Sequence, residues 1–210
     1  MSVKKNEKFN ISFAPALFYA KIPSGSISCV YPKERKAEIE NCLNEQLKLS
    51  KFYAWKLLEL VVNEHIGLDF AKLSFEKSPF GKWGCGEFCF SISHSANMVA
   101  VALSKNPVGI DCQAVKPISL DLSRKILTAN EERAFNGLEE NSKQAYLLEA
   151  WCKKECLLKL CGEGALKPTQ RETEDKEFFK RLLSVNNEEY LLVACGRGID
   201  QNTLIKEIKL

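Results

Sequence analysis

Val108-Gly109-Ile110-Asp111-Cys112-Gln113 sets an acid inside a strand that is otherwise apolar. Later, Trp151-Cys152-Lys153-Lys154-Glu155-Cys156-Leu157-Leu158-Lys159 sets an acid and a lysine on one side of a helix. Helical spacing brings Leu148, Trp151 and Cys152 to the side that carries Glu155 and Lys159. Each segment also has an ordinary reading. Asp111 can cap a turn at a strand end, and Glu155 with Lys159 can be an exposed i,i+4 pair contributing roughly a few tenths of a kcal/mol. A carboxylate and an ammonium that border an apolar face need partners, because unpaired buried charge is costly. A divalent metal and a phosphate would serve.

Around these segments the hydrophobic pattern alternates between strand and helix. Residues 13–22 read as a strand. Pro32 opens a charged segment, 33–49, whose Ile39, Leu43 and Leu47 share one helical face. Ser50 is expected to N-cap a second helix carrying Phe52, Trp55, Leu58, Leu60 and Val62. Leu73-Ser74-Phe75 predicts a short strand before the turn at Pro79-Phe80-Gly81-Lys82. Phe88-Cys89-Phe90-Ser91-Ile92-Ser93 alternates as a half-buried strand does, His94-Ser95-Ala96-Asn97 turns, and 98–103 is continuously apolar, which predicts a hairpin. Lys105-Asn106-Pro107 forms a connector at the midpoint. Beyond it come a strand over 108–115, a capping box at Thr128-Ala129-Asn130-Glu131, and a helix over 142–161 ended by Gly162 and Gly164. Residues 190–195 and 204–208 read as closing strands, while 168–188 are too charged to assign.

The chain's 210 residues suit one large domain or two packed halves, and 45% hydrophobic content excludes wholesale disorder. Its 30 basic and 27 acidic side chains nearly cancel, which argues against a dedicated nucleic-acid binder but allows a local basic pocket. Nine cysteines without a CxxC pair give no disulfide framework, and Met1 leads into Ser2-Val3-Lys4-Lys5 rather than a signal peptide. No apolar run approaches the roughly 18 residues of a membrane helix. A cytoplasmic protein with reduced thiols is therefore expected, without a membrane partner. Cys85, Cys89 and His94 could be imagined as zinc ligands, but a fourth is not apparent. A Ser-His-Asp hydrolase reading of His94 lacks a Gly-x-Ser-x-Gly elbow.

Five ordered segments together resemble the 4′-phosphopantetheinyl transferase superfamily. Val108-Gly109-Ile110-Asp111-x-Gln113 is similar to its strand motif, and Trp151-Cys152-Lys153-Lys154-Glu155-x-x-x-Lys159 to its helix motif. Gly162-Glu163-Gly164-Ala165-Leu166 follows as the Gly-rich loop. Upstream, Phe90-Ser91-Ile92-Ser93-His94-Ser95 is like the family's Ser-His-Ser hairpin, and Phe80-Gly81-Lys82 is like its aromatic-Gly-Lys segment. These matches span residues 80–166.

The resemblance implies transfer of the 4′-phosphopantetheine arm from coenzyme A to a serine of an acyl, peptidyl or polyketide carrier protein, with adenosine 3′,5′-bisphosphate released. It implies magnesium held by Asp111, Gln113 and Glu155, and catalysis by Glu155, Lys159 and Asp111. Coenzyme A contacts are expected from Lys82, Ser93, His94 and Lys159, with Lys33, Lys36 and Lys51 as candidates for the ribose 3′-phosphate. A solvated charged face explains those last three lysines equally well. The fold implied is α+β, a monomeric pseudodimer of similar halves, 1–105 and 106–210, with the site in the cleft between them. The sequence departs from the family in one place: Gln113 stands where a glutamate is common, which leaves an oxygen ligand but removes a negative charge. A non-catalytic coenzyme A or carrier-protein binding module of the same fold is the alternative.

Overall fold

The computed structural model describes residues 13–23, 30, 33–162, 171–173 and 175–210. The first half runs β1 (Ala16–Lys21), α1 (Lys33–Glu40), α2 (Glu45–Val61), β2 (Phe75–Lys77), β3 (Trp83–Cys85), β4 (Cys89–Ser95) and β5 (Met98–Ser104). The second runs β6 (Val108–Ala114), α3 (Ser123–Ile126), α4 (Ala129–Asn136), α5 (Glu140–Cys161), β7 (Phe179–Val185), β8 (Glu188–Gly196) and β9 (Leu204–Glu207). No helix among the described residues is long and apolar enough to cross a membrane.

The strands make a sheet ordered β4-β5-β1-β9, a sheet ordered β6-β8-β7, and the small β2-β3 pair. Within each large sheet the same unit recurs: a first strand, a long helix, then two strands, of which the last lies between the other two. β9 breaks that symmetry, because it leaves the second half and pairs parallel with β1.

Side-chain alternation explains the layers. In β1, Ala16, Phe18 and Ala20 face α2, whereas Leu17 faces the second sheet. In β5, Val99, Val101 and Leu103 face α2, and Met98, Ala100 and Ala102 face the second sheet. Both faces of β5 are thus covered, which is why its sequence is apolar without a break. From the other side, Val108, Ile110, Cys112, Tyr190, Leu192 and Ala194 complete the core between the sheets. Val193 and Cys195 instead pack against Leu148, Cys152 and Cys156 of α5. The order of layers is helix, sheet, sheet, helix. Opposite the sheet, Trp151 packs with the group around Ile126, Leu127 and Phe135 rather than with Cys152, so α5 is held on two sides.

Two edge strands form the seam between the halves. Ser91, Ser93 and Ser95 of β4 accept hydrogen bonds from the backbone N–H groups of Ile110, Cys112 and Ala114 at 3.2, 3.2 and 3.0 Å. Three alternate hydroxyls thereby satisfy the edge donors that a neighbouring strand would otherwise take.

The helices at the start of the chain differ from expectation. Residues 33–49 are two helices rather than one, with Leu43 98% exposed in the break between them. Asn44 is the N-cap of α2, its side chain accepting from Leu47 N at 2.9 Å. Ser50 lies inside that helix, buried, and donates to the carbonyl of Gln46 at 2.8 Å. The capping box at Thr128 forms as expected, with both reciprocal bonds present. The segment left unassigned contains β7, in which Lys180, Arg181 and Leu182 are all exposed.

Gly109 decides where α5 sits. A Cβ there would fall 2.1 Å from the carbonyl oxygen of Cys156 and 2.9 Å from the nitrogen of Leu160. Both are backbone atoms, so no rotamer change relieves the clash. Gly109→Ala is expected to destabilise the chain by about 3 kcal/mol, the upper end of ordinary overpacking, measured by urea unfolding. A loss below about 1 kcal/mol would show that the helix can move aside.

Candidate active site

Because β6 alternates, Gly109, Asp111 and Gln113 share the face turned to α5. Gly109 lets the helix backbone touch the strand, and the next position on that face, Asp111, then meets the side chain of Lys159. The Asp111 carboxylate is 2% exposed. Its Oδ1 accepts from Lys159 Nζ at 2.7 Å and from Ser93 Oγ at 2.9 Å, and its Oδ2 accepts from Gln113 Nε2 at 3.1 Å. Ser93 is fully used: it donates to Asp111 and accepts from Cys112 N and, at 2.8 Å, from Lys159 Nζ. A buried carboxylate, an ammonium, a hydroxyl and an amide from three parts of the chain close one network.

This network forms one wall of a cavity of about 420 Å³, which is also lined by Arg35, Glu38, Lys51, Phe80, Lys82, His94 and Glu155. The half-buried Glu155 has its carboxyl pKa raised, first by burial and then by the charge of Asp111, with Lys159 opposing. Burial works against the Lys159 ammonium, but the Asp111 carboxylate and its hydrogen bond outweigh that and leave the lysine pKa above its ordinary value.

Of the residues expected at the site, Asp111, Gln113, Glu155, Lys159, Ser93, His94, Lys82 and Lys51 all line the cavity. Lys36 does not; its side chain is 57% exposed and pairs with Glu40. Lys33 opens α1, but its side chain and the loop 163–166 lie outside the described residues. Lys82 lines the cavity with its ammonium turned away, donating to the carbonyls of Lys159, Leu160 and Val108 at 2.5, 3.2 and 3.4 Å. It caps the last turn of α5, where a cation is favoured by the helix dipole, and so ties the first half to that helix. Lys154, beside Glu155, points away from the cavity. It is wholly buried, pairs with Glu131 at 2.7 Å and donates to the carbonyl of Arg171.

The charged residues that sequence reasoning missed are Arg35 and Glu38. Arg35 is 5% exposed, stands 5.6 Å from the centre of the Trp55 ring, and pairs with Glu38 at 2.8 Å. The short, almost wholly polar α1 gives little sign of which of its charges turns inward. The zinc reading does not hold: Cys85 donates to Glu87 and Cys89 to the carbonyl of Lys105, while His94 lines the cavity.

The donor set fits magnesium. Two carboxylates and an amide belong to one cavity wall, and the charge of Asp111 adds to burial in raising the pKa of Glu155. No cluster of three or more His, Cys, Asp or Glu metal ligands exists among the described residues.

Residues 107–193 match the 4'-phosphopantetheinyl transferase superfamily. Its relatives include the 4'-phosphopantetheinyl transferase psf-1 of Bacillus pumilus, 31% identical over 111 residues, which are 51% of this chain and 48% of that protein. The 4'-phosphopantetheinyl transferase Sfp of Bacillus subtilis (strain 168) is 28% identical over 115 residues, 53% of this chain and 51% of that protein. The 4'-phosphopantetheinyl transferase HetI of Nostoc sp. (strain PCC 7120 / SAG 25.82 / UTEX 2576) is 25% identical over 120 residues, 53% of this chain and 51% of that protein. The chain spans about half the length of the curated relatives it matches.

His94 reports the charge of the cavity. Burial first, then the positive charges of Lys159, Arg35 and Lys51, hold its pKa down from 6.5 to about 4, so the ring is neutral at pH 7. The folded state therefore binds fewer protons than the unfolded chain between those values, and stability falls as pH drops through that window. A polyanion among the three cations offsets their part of the depression and leaves the part due to burial. Inorganic pyrophosphate should raise the His94 pKa toward 6.5, read by NMR titration of the ring protons and assigned with His94→Gln. An unmoved titration in saturating pyrophosphate would mean that anions do not bind beside His94.

Proposed function

We propose that this protein is a 4′-phosphopantetheinyl transferase, of the holo-acyl-carrier-protein synthase type, that moves the arm of coenzyme A to a carrier-protein serine. The observation that carries the reading is the convergence of Asp111, Glu155 and Lys159, from distant stretches of chain, on one cavity with His94. The repeated strand order of the two large sheets supports a pseudodimeric monomer whose halves, 1–105 and 106–210, flank the site.

Asp111, Glu155 and the amide oxygen of Gln113 would hold magnesium, which when bound neutralises charge on the pyrophosphate. The protein's own groups account for the rest. Glu155, with its raised pKa, accepts the proton of the incoming serine hydroxyl. The serine oxygen bonds to the phosphorus that carries the pantetheine arm. The bond from that phosphorus to the bridging oxygen breaks, and adenosine 3′,5′-bisphosphate leaves with the electron pair. Lys159, fixed by Asp111 and Ser93, places positive charge beside the departing group. Neutral His94 can donate a hydrogen bond to phosphate, and Arg35 and Lys51 supply cations elsewhere in the cavity.

Incubation of the protein with an apo carrier domain, coenzyme A and magnesium should add about 340 Da, the mass of the arm, to the carrier's serine. Glu155→Gln should cut that rate by about a hundredfold or more while the fold persists. Coenzyme A binding with no mass gain would instead establish the binding-module reading.

The second test concerns Gln113. Restoring a carboxylate adds a charged ligand, so Gln113→Glu should reach half-maximal transfer at a lower magnesium concentration than the parent. Superimposable magnesium titrations would show that residue 113 is not a ligand.

A further inference from the structure

At the Arg35 end of the cavity one acid stands among three bases. Glu38 pairs with Arg35 at 2.8 Å, with Lys77 at 3.0 Å and with Lys51 at 3.6 Å. Arg35 is held against Trp55 and Lys77 stands 5.7 Å from the centre of the Trp83 ring, so these bases are fixed by aromatic faces as well as by the acid. Arg35 Nε is buried with no hydrogen-bond partner among the described residues. Burial alone would raise the carboxyl pKa of Glu38, but Arg35 and Lys77 more than offset it, so the acid is ionised at neutral pH. Three positive charges against one negative leave an excess of two here; Arg35, Glu38 and Lys51 line the cavity together with His94, and Lys77 stands behind Glu38.

We propose that Glu38 is a specificity-determining residue, an internal counter-ion that competes with the substrate's remote phosphate for Arg35 and Lys51. The inference rests on the reading that coenzyme A occupies this cavity. A phosphate monoester brings about −1.5 to −2 charges and needs the same N–H donors that Glu38 now engages. It must share those donors with the fixed carboxylate or displace it, and it is repelled by it in either case. Part of the attraction of the bases is therefore cancelled in the resting protein. A substrate without the remote phosphate forfeits less here than it would in a pocket of bases alone, and discrimination between the two is blunted.

The experiment is calorimetric binding of coenzyme A and 3′-dephospho-coenzyme A to the parent and to Glu38→Gln, at low ionic strength. Glutamine keeps the size of the side chain and removes its charge. The preference for coenzyme A is expected to rise roughly tenfold in the variant, the scale of losing one close, partly buried charge. Glu38→Ala provides the second variant should the glutamine protein fail to fold, with circular dichroism as the check. A preference unchanged within about twofold overturns the inference, as does a fall, which would mean that Glu38 aims Arg35 at the phosphate. A parent that binds neither compound overturns the reading of the cavity and the inference with it.

Discussion

The backbone of α5 rests on β6 at Gly109, with no side chain between them, and the active-site wall follows from that contact. If a side chain separated helix from strand, Lys159 would no longer reach Asp111 at 2.7 Å, nor Ser93 at 2.8 Å. Glu155 belongs to the same helical turn and moves with it. The contact is fixed at both ends of the last turns: Lys82 holds the terminal carbonyls, and the buried Lys154–Glu131 pair holds the opposite face. A buried ion pair of this kind adds little net stability, yet breaking it leaves an unpaired charge. Its contribution is better read as register, which a site built from one helix and one strand cannot do without.

The serine seam has a similar double character. Ser91 and Ser95 do structural work, satisfying edge N–H groups that face no strand partner. Ser93, midway between them, does the same and adds bonds to Asp111 and Lys159. The seam between the halves and the wall of the cavity are therefore one hydrogen-bond array. Conformational change at this seam would disturb Asp111 directly, and anion binding beside His94 would be felt in the packing of β4 on β6.

Legibility in the sequence tracked how strongly local chemistry constrained each segment. The hairpin of β4 and β5, the Thr128 capping box and the stop of α5 at Gly162 were readable because period, cap and left-handed glycine each have few alternatives. Site residues on β6 and α5 were readable because an acid in an apolar strand is conspicuous. Ser50 misled because its hydroxyl suits a cap and equally suits a bond to the carbonyl four residues back. β7 was hidden because its consecutive Lys180, Arg181 and Leu182 are all exposed, which breaks the alternation of a half-buried strand. Arg35, Glu38 and Lys154 were hidden for a common reason: burial of a charge depends on partners far away in sequence, Trp55, Lys77 and Glu131 among them.

Gln113 is better understood within this electrostatic frame than as a missing ligand alone. Asp111 and Glu155 already oppose one another, and Lys159 with Ser93 occupies Oδ1 of Asp111. The other oxygen receives an N–H from Gln113, so the carboxylate is surrounded by donors in the absence of metal. A carboxylate at 113 would remove that donor and place a third negative charge beside the pair. The glutamine thus adds a donor to a wall where Lys159 already offsets one of the two carboxylates. Asp111 is already shared between Lys159 and Gln113, so under the proposed reaction a metal at Asp111 would have to work against the charge of Lys159.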